Sequence, residues 1–132
     1  MTQIARVLLV DGDDEVRVSL HKTLLNRNVS CDSAGSAGDA LAQLDQHRYA
    51  LLLLHLEMPA AKDVLDCLRS MPRSGRPIVL VTANVRSPKD AIDTELVQII
   101  IRRPLFIAEV AGMIRACLEY VPRIETDVQR TV

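Results

Sequence analysis

Five short apolar runs recur along the chain, and each is followed by a stretch with the apolar spacing of a helix. The runs occupy residues 6–10, 29–34, 49–54, 77–81 and 97–101, and the second of them is the weakest. Continuous branched runs of this length are typical of strands that are covered on both faces. Five such strands with helices between them predict an α/β fold, a doubly wound parallel sheet.

Helix-capping residues mark the starts of several intervening segments. The acidic turn at 11–14 can cap the first helix, and Asp13 and Asp14 are expected as capping and first-turn acids that interact with the helix dipole. Ser36, with an acidic residue three positions later, resembles a capping box. Ser87-Pro88 can begin a fourth helix, because proline is tolerated in the first turn.

The last helix defines the predicted domain boundary. An apolar stripe that includes Ile107, Ile114 and Leu118 predicts this helix, and Pro122 is expected to end it. The residues after Pro122 are polar. We therefore predict one domain over residues 1–121 and a polar tail or linker over residues 122–132.

Composition excludes several classes of function. The net charge of 132 residues is -1, aromatic residues make up 2% and Trp is absent, so direct nucleic-acid binding is not expected. No signal peptide and no apolar run of membrane-spanning length are present, which favours a cytoplasmic protein without membrane contact. Three scattered cysteines do not match a disulfide framework or a zinc site, and we expect reduced, largely buried thiols at Cys31, Cys67 and Cys117.

Polar residues follow four of the five predicted strands. In open α/β sheets, ligands and chemistry collect at the carboxyl ends of the strands, where the strand order reverses. This rule selects residues 11–14 after the first strand, His55 after the third, Thr82 after the fourth and Arg102-Arg103 after the fifth.

Four segments, RVLLVDGDDEVR, LLLLHLEMP, IVLVTAN and RRPLF, occur in an order and spacing that cover about Arg6 to Tyr120. With them the chain resembles a response regulator receiver domain, similar to chemotaxis regulators. The resemblance implies a flavodoxin-like (βα)5 fold with strand order 2-1-3-4-5, and a role in two-component or phosphorelay signal transduction. It does not imply an enzyme.

Receivers carry an acidic pair, a phosphoacceptor Asp, a Thr or Ser, and a Lys that precedes proline. On those positions this chain places Asp11, Gly12, His55, Thr82 and Arg103. The family's clustered carboxylates hold Mg²⁺, which prefers oxygen ligands. The resemblance therefore implies a pseudo-receiver with a degenerate phosphorylation pocket, for which we expect no resident metal, no cofactor and no Mg²⁺-dependent phosphorylation.

Three further features concern signalling. Ile100 stands where many receivers place a Tyr or Phe that moves during signalling, and MPAAKD replaces a glycine-containing loop. The resemblance makes the Arg103-Pro104 peptide bond a candidate for the cis form. It also implies a protein partner or homodimer through the face of the fourth helix, fifth strand and last helix. If the tail after Pro122 is a linker, an output domain can follow beyond the C-terminus.

Several interpretations of single residues stay open. His55 can be a neutral ring hydrogen-bonded near Asp11 or Thr82, a pH sensor, a transition-metal ligand with Asp11 or Asp13, or a phosphohistidine. Arg103 can pair with Asp11 or point to solvent. Glu57 is expected in a solvated loop beside the pocket.

Two functions from different classes follow. The first is a phosphorylation-independent signalling module that acts through protein–protein interaction or dimerisation. The alternative is a small-ligand or metal sensor that uses the pocket of Asp11, His55, Thr82 and Arg103. The sequence contains no recognisable activated nucleophile other than His55, so an enzyme is the least favoured interpretation.

Overall fold

The structure is a computed structural model that describes residues 6–84 and 92–131, with side chains described as far as Glu119. Five parallel strands form one sheet in the order β2-β1-β3-β4-β5. This order confirms the predicted doubly wound fold. The strands are β1 Arg6–Val10, β2 Ser30–Ala34, β3 Leu51–His55, β4 Ile78–Ala83 and β5 Ile99–Arg102.

Four helices cover the two faces of this sheet. Their bounds are α1 Asp14–Asn26, α2 Ala37–Gln46, α3 Ala61–Ser70 and α4 Ile107–Thr131, and a short 3₁₀ helix spans Arg73–Gly75. Asp13 caps α1 by accepting from the Glu15 and Val16 backbone N–H groups, and Ser36 caps α2 by accepting from the Asp39 N–H. Both caps agree with the sequence expectation.

The central strands β1, β3 and β4 are apolar along most of their length because their side chains face one of two cores, whereas the edge strand β2 reads SCDSA. Leu52 and Leu54 pack with α2 and α3, whereas Leu51 and Leu53 pack with α1 and α4. Successive side chains of a strand point to opposite faces, so a strand between two helical layers must be apolar at every position. In β3 and β4 the polar side chains, His55 and Thr82, therefore lie towards the carboxyl ends.

Two predictions about helices differ from the structure. The last helix continues across Pro122 to Thr131, so the predicted end at Pro122 was wrong. A proline inside a helix removes one backbone donor and crowds the preceding turn, which can kink a helix without ending it. The division between residues 1–121 and 122–132 stays a prediction.

The predicted fourth helix begins at Ser87-Pro88, which lies outside the described residues. The described residues that follow it, 92–98, form turns and not a helix. Asp93 closes this turn, since its backbone carbonyl accepts from the Val97 N–H at 2.9 Å and its carboxylate accepts from the Glu95 N–H at 3.0 Å. Within the described ranges, no helix is long and apolar enough to cross a membrane.

Candidate functional site

The register of the sheet brings the predicted site residues to one edge. His55 is the last residue of β3 and lies opposite Thr82 of β4. Asp11 directly follows β1, and Arg103 directly follows β5. Because parallel strands present their carboxyl ends at the same edge, four side chains that are distant in sequence converge there.

Asp11 and Arg103 form a largely buried ion pair. The Arg103 Nη2 donates to Asp11 Oδ2 at 2.6 Å, and 8% of the Asp11 side chain and 19% of the Arg103 side chain are exposed. This contact decides between the two interpretations of Arg103 in favour of the pair. A guanidinium suits the position, because it stays charged when water is excluded and has several donors.

The same Nη2 group also reaches Thr82. It donates to Thr82 Oγ1 at 3.2 Å, and Thr82 is almost completely buried. The neighbouring Nε of Arg103 is buried and has no hydrogen-bond partner in the described part of the chain. The Arg103-Pro104 peptide bond is cis.

His55 lies between two carboxylates. Its Nδ1 is 3.3 Å from Asp11 Oδ1, and its Nε2 is 3.4 Å from Glu57 Oε1. The structure therefore brings His55 next to Asp11, as expected, and adds Glu57 as a second anionic neighbour. About 20% of the His55 side chain is exposed.

Glu57 has a larger role than its expected place in a solvated loop. Its side chain is 28% exposed, and its Oε1 accepts from the Asn84 backbone N–H at 3.1 Å. The Asn84 carbonyl in turn accepts from Arg102 Nη1 at 2.8 Å. Sequence reasoning missed this chain of contacts, although the position of Glu57 two residues after a strand-end histidine was a usable signal.

Residues 12–14 do not contribute a second acid to the pocket. Gly12 is exposed and has no side chain, and the Asp13 carboxylate is occupied as the cap of α1. Asp14 pairs with Arg17, whose Nη1 also donates to the Asp11 backbone carbonyl at 2.7 Å. A side chain on Gly35 would meet this guanidinium at 3.0 Å, so glycine leaves the space in which Arg17 packs.

The loop after β3 enters α3 through Ala60, within the segment MPAAKD. Ala60 has φ 60° and ψ 22°, the left-handed region that residues with a Cβ seldom adopt, and no side chain caps α3. The loop therefore holds a strained backbone three residues after Glu57.

A hard divalent ion does not fit this pocket. Asp11 uses one oxygen for Arg103 and the other for the Asp13 N–H at 2.9 Å, and His55 offers nitrogen where Mg²⁺ prefers oxygen. Within residues 6–84 and 92–131, no three His, Cys, Asp or Glu side chains are grouped so that they could hold a metal ion. In place of a metal ion, the Arg103 guanidinium balances the charge of the Asp11 carboxylate.

The resolved pKa shifts of buried groups belong to other parts of the fold. Burial, and secondarily the charge of Asp32, raises the pKa of the Cys31 thiol to about 11. Burial also raises the pKa of Tyr49, whose hydroxyl donates to Asp32 at 2.7 Å. All three cysteines are free, but only Cys31 is fully buried, while Cys67 and Cys117 are half-buried. Both shifts report packing of β2 and of the chain before β3.

Comparison with known proteins decides the family. A sequence model described as the response regulator receiver domain matches residues 7–115. The chain belongs to the response regulator receiver domain family. Receiver domains act in two-component signalling, typically with proteins such as kinases or output domains, and are generally not enzymes.

One curated relative of this receiver domain is the transcriptional regulatory protein ResD of Bacillus subtilis (strain 168). The two are 29% identical over 82 residues, which make up 62% of this chain and 34% of ResD. The match thus spans about a third of the relative's length.

Solved receiver domains share the fold. The signal receiver domain of a putative Luxo repressor protein from Vibrio parahaemolyticus has a TM-score of 0.80 at 16% identity, and the match covers 96% of this chain and 98% of that one. A CheY-like receiver domain from Methanospirillum hungatei JF-1 has a TM-score of 0.77 at 19% identity, with 89% and 95% covered. At these identities the similarity establishes the fold alone.

Proposed function

We propose that this receiver domain is a pseudo-receiver that signals without phosphorylation. The observation that supports the proposal best is the position of the Arg103 guanidinium, bonded to both Asp11 and Thr82. The one acid retained from the family's pair is neutralised by an internal cation. His55 occupies the family's acceptor position, where no aspartyl phosphate can form.

The charge balance also argues against phosphotransfer. Phosphoryl transfer to a receiver needs a metal ion to neutralise phosphoryl oxygens, and that ion needs clustered carboxylates. Gly12 supplies none, and both Asp11 oxygens are already hydrogen-bonded. A metal ion would have to displace Arg103 from Asp11 before it could bind there.

Intact-mass measurement tests this proposal. The full chain is incubated with acetyl phosphate and Mg²⁺, beside a receiver domain that carries the complete acidic set as positive control. We expect the control to gain a phosphate and this chain to keep its mass. A stoichiometric phosphate adduct on this chain would overturn the proposal.

The output of the module is proposed to be a protein–protein contact or a homodimer through the face of the predicted fourth helix, β5 and α4. Support comes from β5, an edge strand whose four residues, including Ile100, are all half-buried. In the homodimer case, Ile100→Lys should shift sedimentation equilibrium towards monomer. Val18→Lys on α1, where Val18 is 56% exposed, is the matched control. A wild-type chain that stays monomeric at every concentration would contradict the homodimer proposal.

The sensor function remains the alternative. Among the described residues the buried Nε of Arg103 has no hydrogen-bond partner, so an anion could accept from it, which is the one observation that favours this function. Thermal-shift measurements with divalent metals and anionic metabolites separate the two functions. Selective stabilisation would favour the sensor, whereas no shift with any compound favours the interaction module.

A further inference from the structure

A groove lies at the edge of the sheet where β3 and β4 begin, opposite the edge that carries Asp11. It has a volume of about 300 Å³ and is bounded by the end of α2, the segment that leads into β3, the end of α3 and the 3₁₀ helix. Cavities of this size stand at the lower end of the range that holds small-molecule ligands. We call this cavity, which Leu44, Arg48, Met71 and Ser74 line among others, the entry groove.

The floor of the entry groove is apolar. Leu44 and Tyr49 are 9% and 6% exposed, and Pro77 is also buried. The Tyr49 hydroxyl is already engaged, because it donates to Asp32 at 2.7 Å and lies 3.1 Å from the side-chain oxygen of Gln43. The groove therefore offers a surface against which the carbon part of a ligand can be removed from water.

The wall formed by the end of α3 and the 3₁₀ helix is held by hydrogen bonds of the chain itself. The Gly75 N–H donates to the Pro72 carbonyl at 3.0 Å. Arg76 Nη2 donates to the carbonyls of Arg69 and Met71, at 3.0 and 3.1 Å. A ligand would not have to order this segment, which lowers the free-energy cost of binding.

The rim of the entry groove is positively charged. Arg48 lines the groove and Arg73 belongs to the adjoining 3₁₀ helix. Both side chains are exposed, and neither has an ion pair or a hydrogen bond to any residue that the structure describes. The described lining residues include no acid, since Asp45, the acid nearest in sequence, lies outside the groove. The negative end of the α2 dipole lies beside the groove, but it amounts to only about half a charge. The rim therefore favours an anion.

We propose that the entry groove binds a small organic acid, in which a carboxylate is joined to an apolar body. The body packs against Leu44 and Met71. The carboxylate accepts from the Arg48 guanidinium and from the Ser74 hydroxyl, which has no hydrogen bond to any described residue. The inference goes beyond the proposed function: a chain that binds the acid and also takes up phosphate would keep the groove and would not be a pseudo-receiver.

Amide ¹H–¹⁵N spectra of the full chain test the groove with matched probes. The probe 3-phenylpropionate has both a carboxylate and an apolar body, 3-phenylpropionamide lacks the charge, and acetate lacks the body. We expect 3-phenylpropionate to move the Ser74 and Gly75 amides saturably, while the Asp11 and Thr82 amides at the other edge stay in place. The amide and acetate should bind at least about tenfold more weakly, because each lacks one of the two contacts.

Two substitutions locate the contact. Arg48→Gln should weaken the binding of 3-phenylpropionate about tenfold, which is the usual effect of losing a hydrogen bond between charged groups. Gly75→Trp should also weaken it by filling the groove, and a Cβ at Gly75 meets no atom within 4 Å outside its chain neighbours. Lys22→Gln, at an exposed lysine of α1, is the matched charge control and should bind as the wild type does.

The outcomes separate clearly. If Gly75→Trp does not fold, Arg48→Gln decides alone. The proposal is overturned if the Ser74 and Gly75 amides show no saturable shift, if the acid and its amide bind equally, or if either folded variant keeps the wild-type affinity.

Discussion

Arg103→Ala should destabilise the domain by an amount that only a buried ion pair explains. The Asp11 side chain is only 8% exposed in the native structure. The substitution removes the guanidinium that lies 2.6 Å from its carboxylate. Removal of one partner of a buried pair costs about 3–5 kcal/mol. The Asp11 carboxylate keeps its hydrogen bond from the Asp13 N–H, and the Arg103 side chain is partly exposed. We therefore expect a loss of unfolding free energy at the lower end of this range, about 3 kcal/mol.

For a domain of this size, a loss of about 3 kcal/mol corresponds to a fall in Tm of roughly 10 °C. Urea unfolding should give the same free-energy loss with an unchanged slope. Arg115→Ala is the matched control, since Arg115 and Glu119 form an exposed pair, 49% and 66% accessible, of a kind that contributes at most about 1 kcal/mol.

A double-mutant cycle of Arg103→Ala with Asp11→Ala isolates the pair. We expect a coupling free energy of at least about 1 kcal/mol, because the two residues are in direct contact. Arg103→Lys should lose less than Arg103→Ala, since it keeps the charge but not the several donors of a guanidinium. A loss no larger than that of Arg115→Ala, or a coupling near zero, would refute the reasoning.

Three other predictions concern stability. Because the pKa of Cys31 is raised from 9.0 to about 11 in the fold, stability should fall as pH rises across that interval, and the Tm of Cys31→Ala should fall less steeply. Arg69 lowers the pKa of Asp93 below 3.8, so stability should fall as pH drops below that value, and an equal acid slope in Arg69→Gln would contradict this origin. Ala60→Gly should raise the free energy of unfolding by about 1 kcal/mol by relieving the left-handed backbone, whereas Ala42→Gly in α2 should lower it by a similar amount; chemical denaturation checks both signs.

Much of the fold follows from the sequence, because the physical cause is local. The run Leu51–Leu54 had to be a strand between two apolar layers, and parallel strand ends had to share an edge. The convergence of Asp11, His55 and Thr82 is therefore predictable without side-chain geometry.

The rest depends on long side chains and on tertiary packing. Glu57 turns its side chain to His55 and Asn84, and these contacts with another strand end are not indicated by the local pattern of the segment. The continuation of α4 past Pro122 likewise runs against local propensity, because proline disfavours the interior of a helix.

The ion pair at the strand ends also has a consequence for the order of folding. Asp11 and Arg103 are 92 positions apart, so their contact closes a loop that contains β2, β3, β4 and β5. Such a contact gains free energy only after the strands between have paired. We expect it to be absent from the folding transition state, so that its loss accelerates unfolding more than it slows folding. Arg103 would then lengthen the lifetime of the folded domain, in addition to balancing the charge of Asp11.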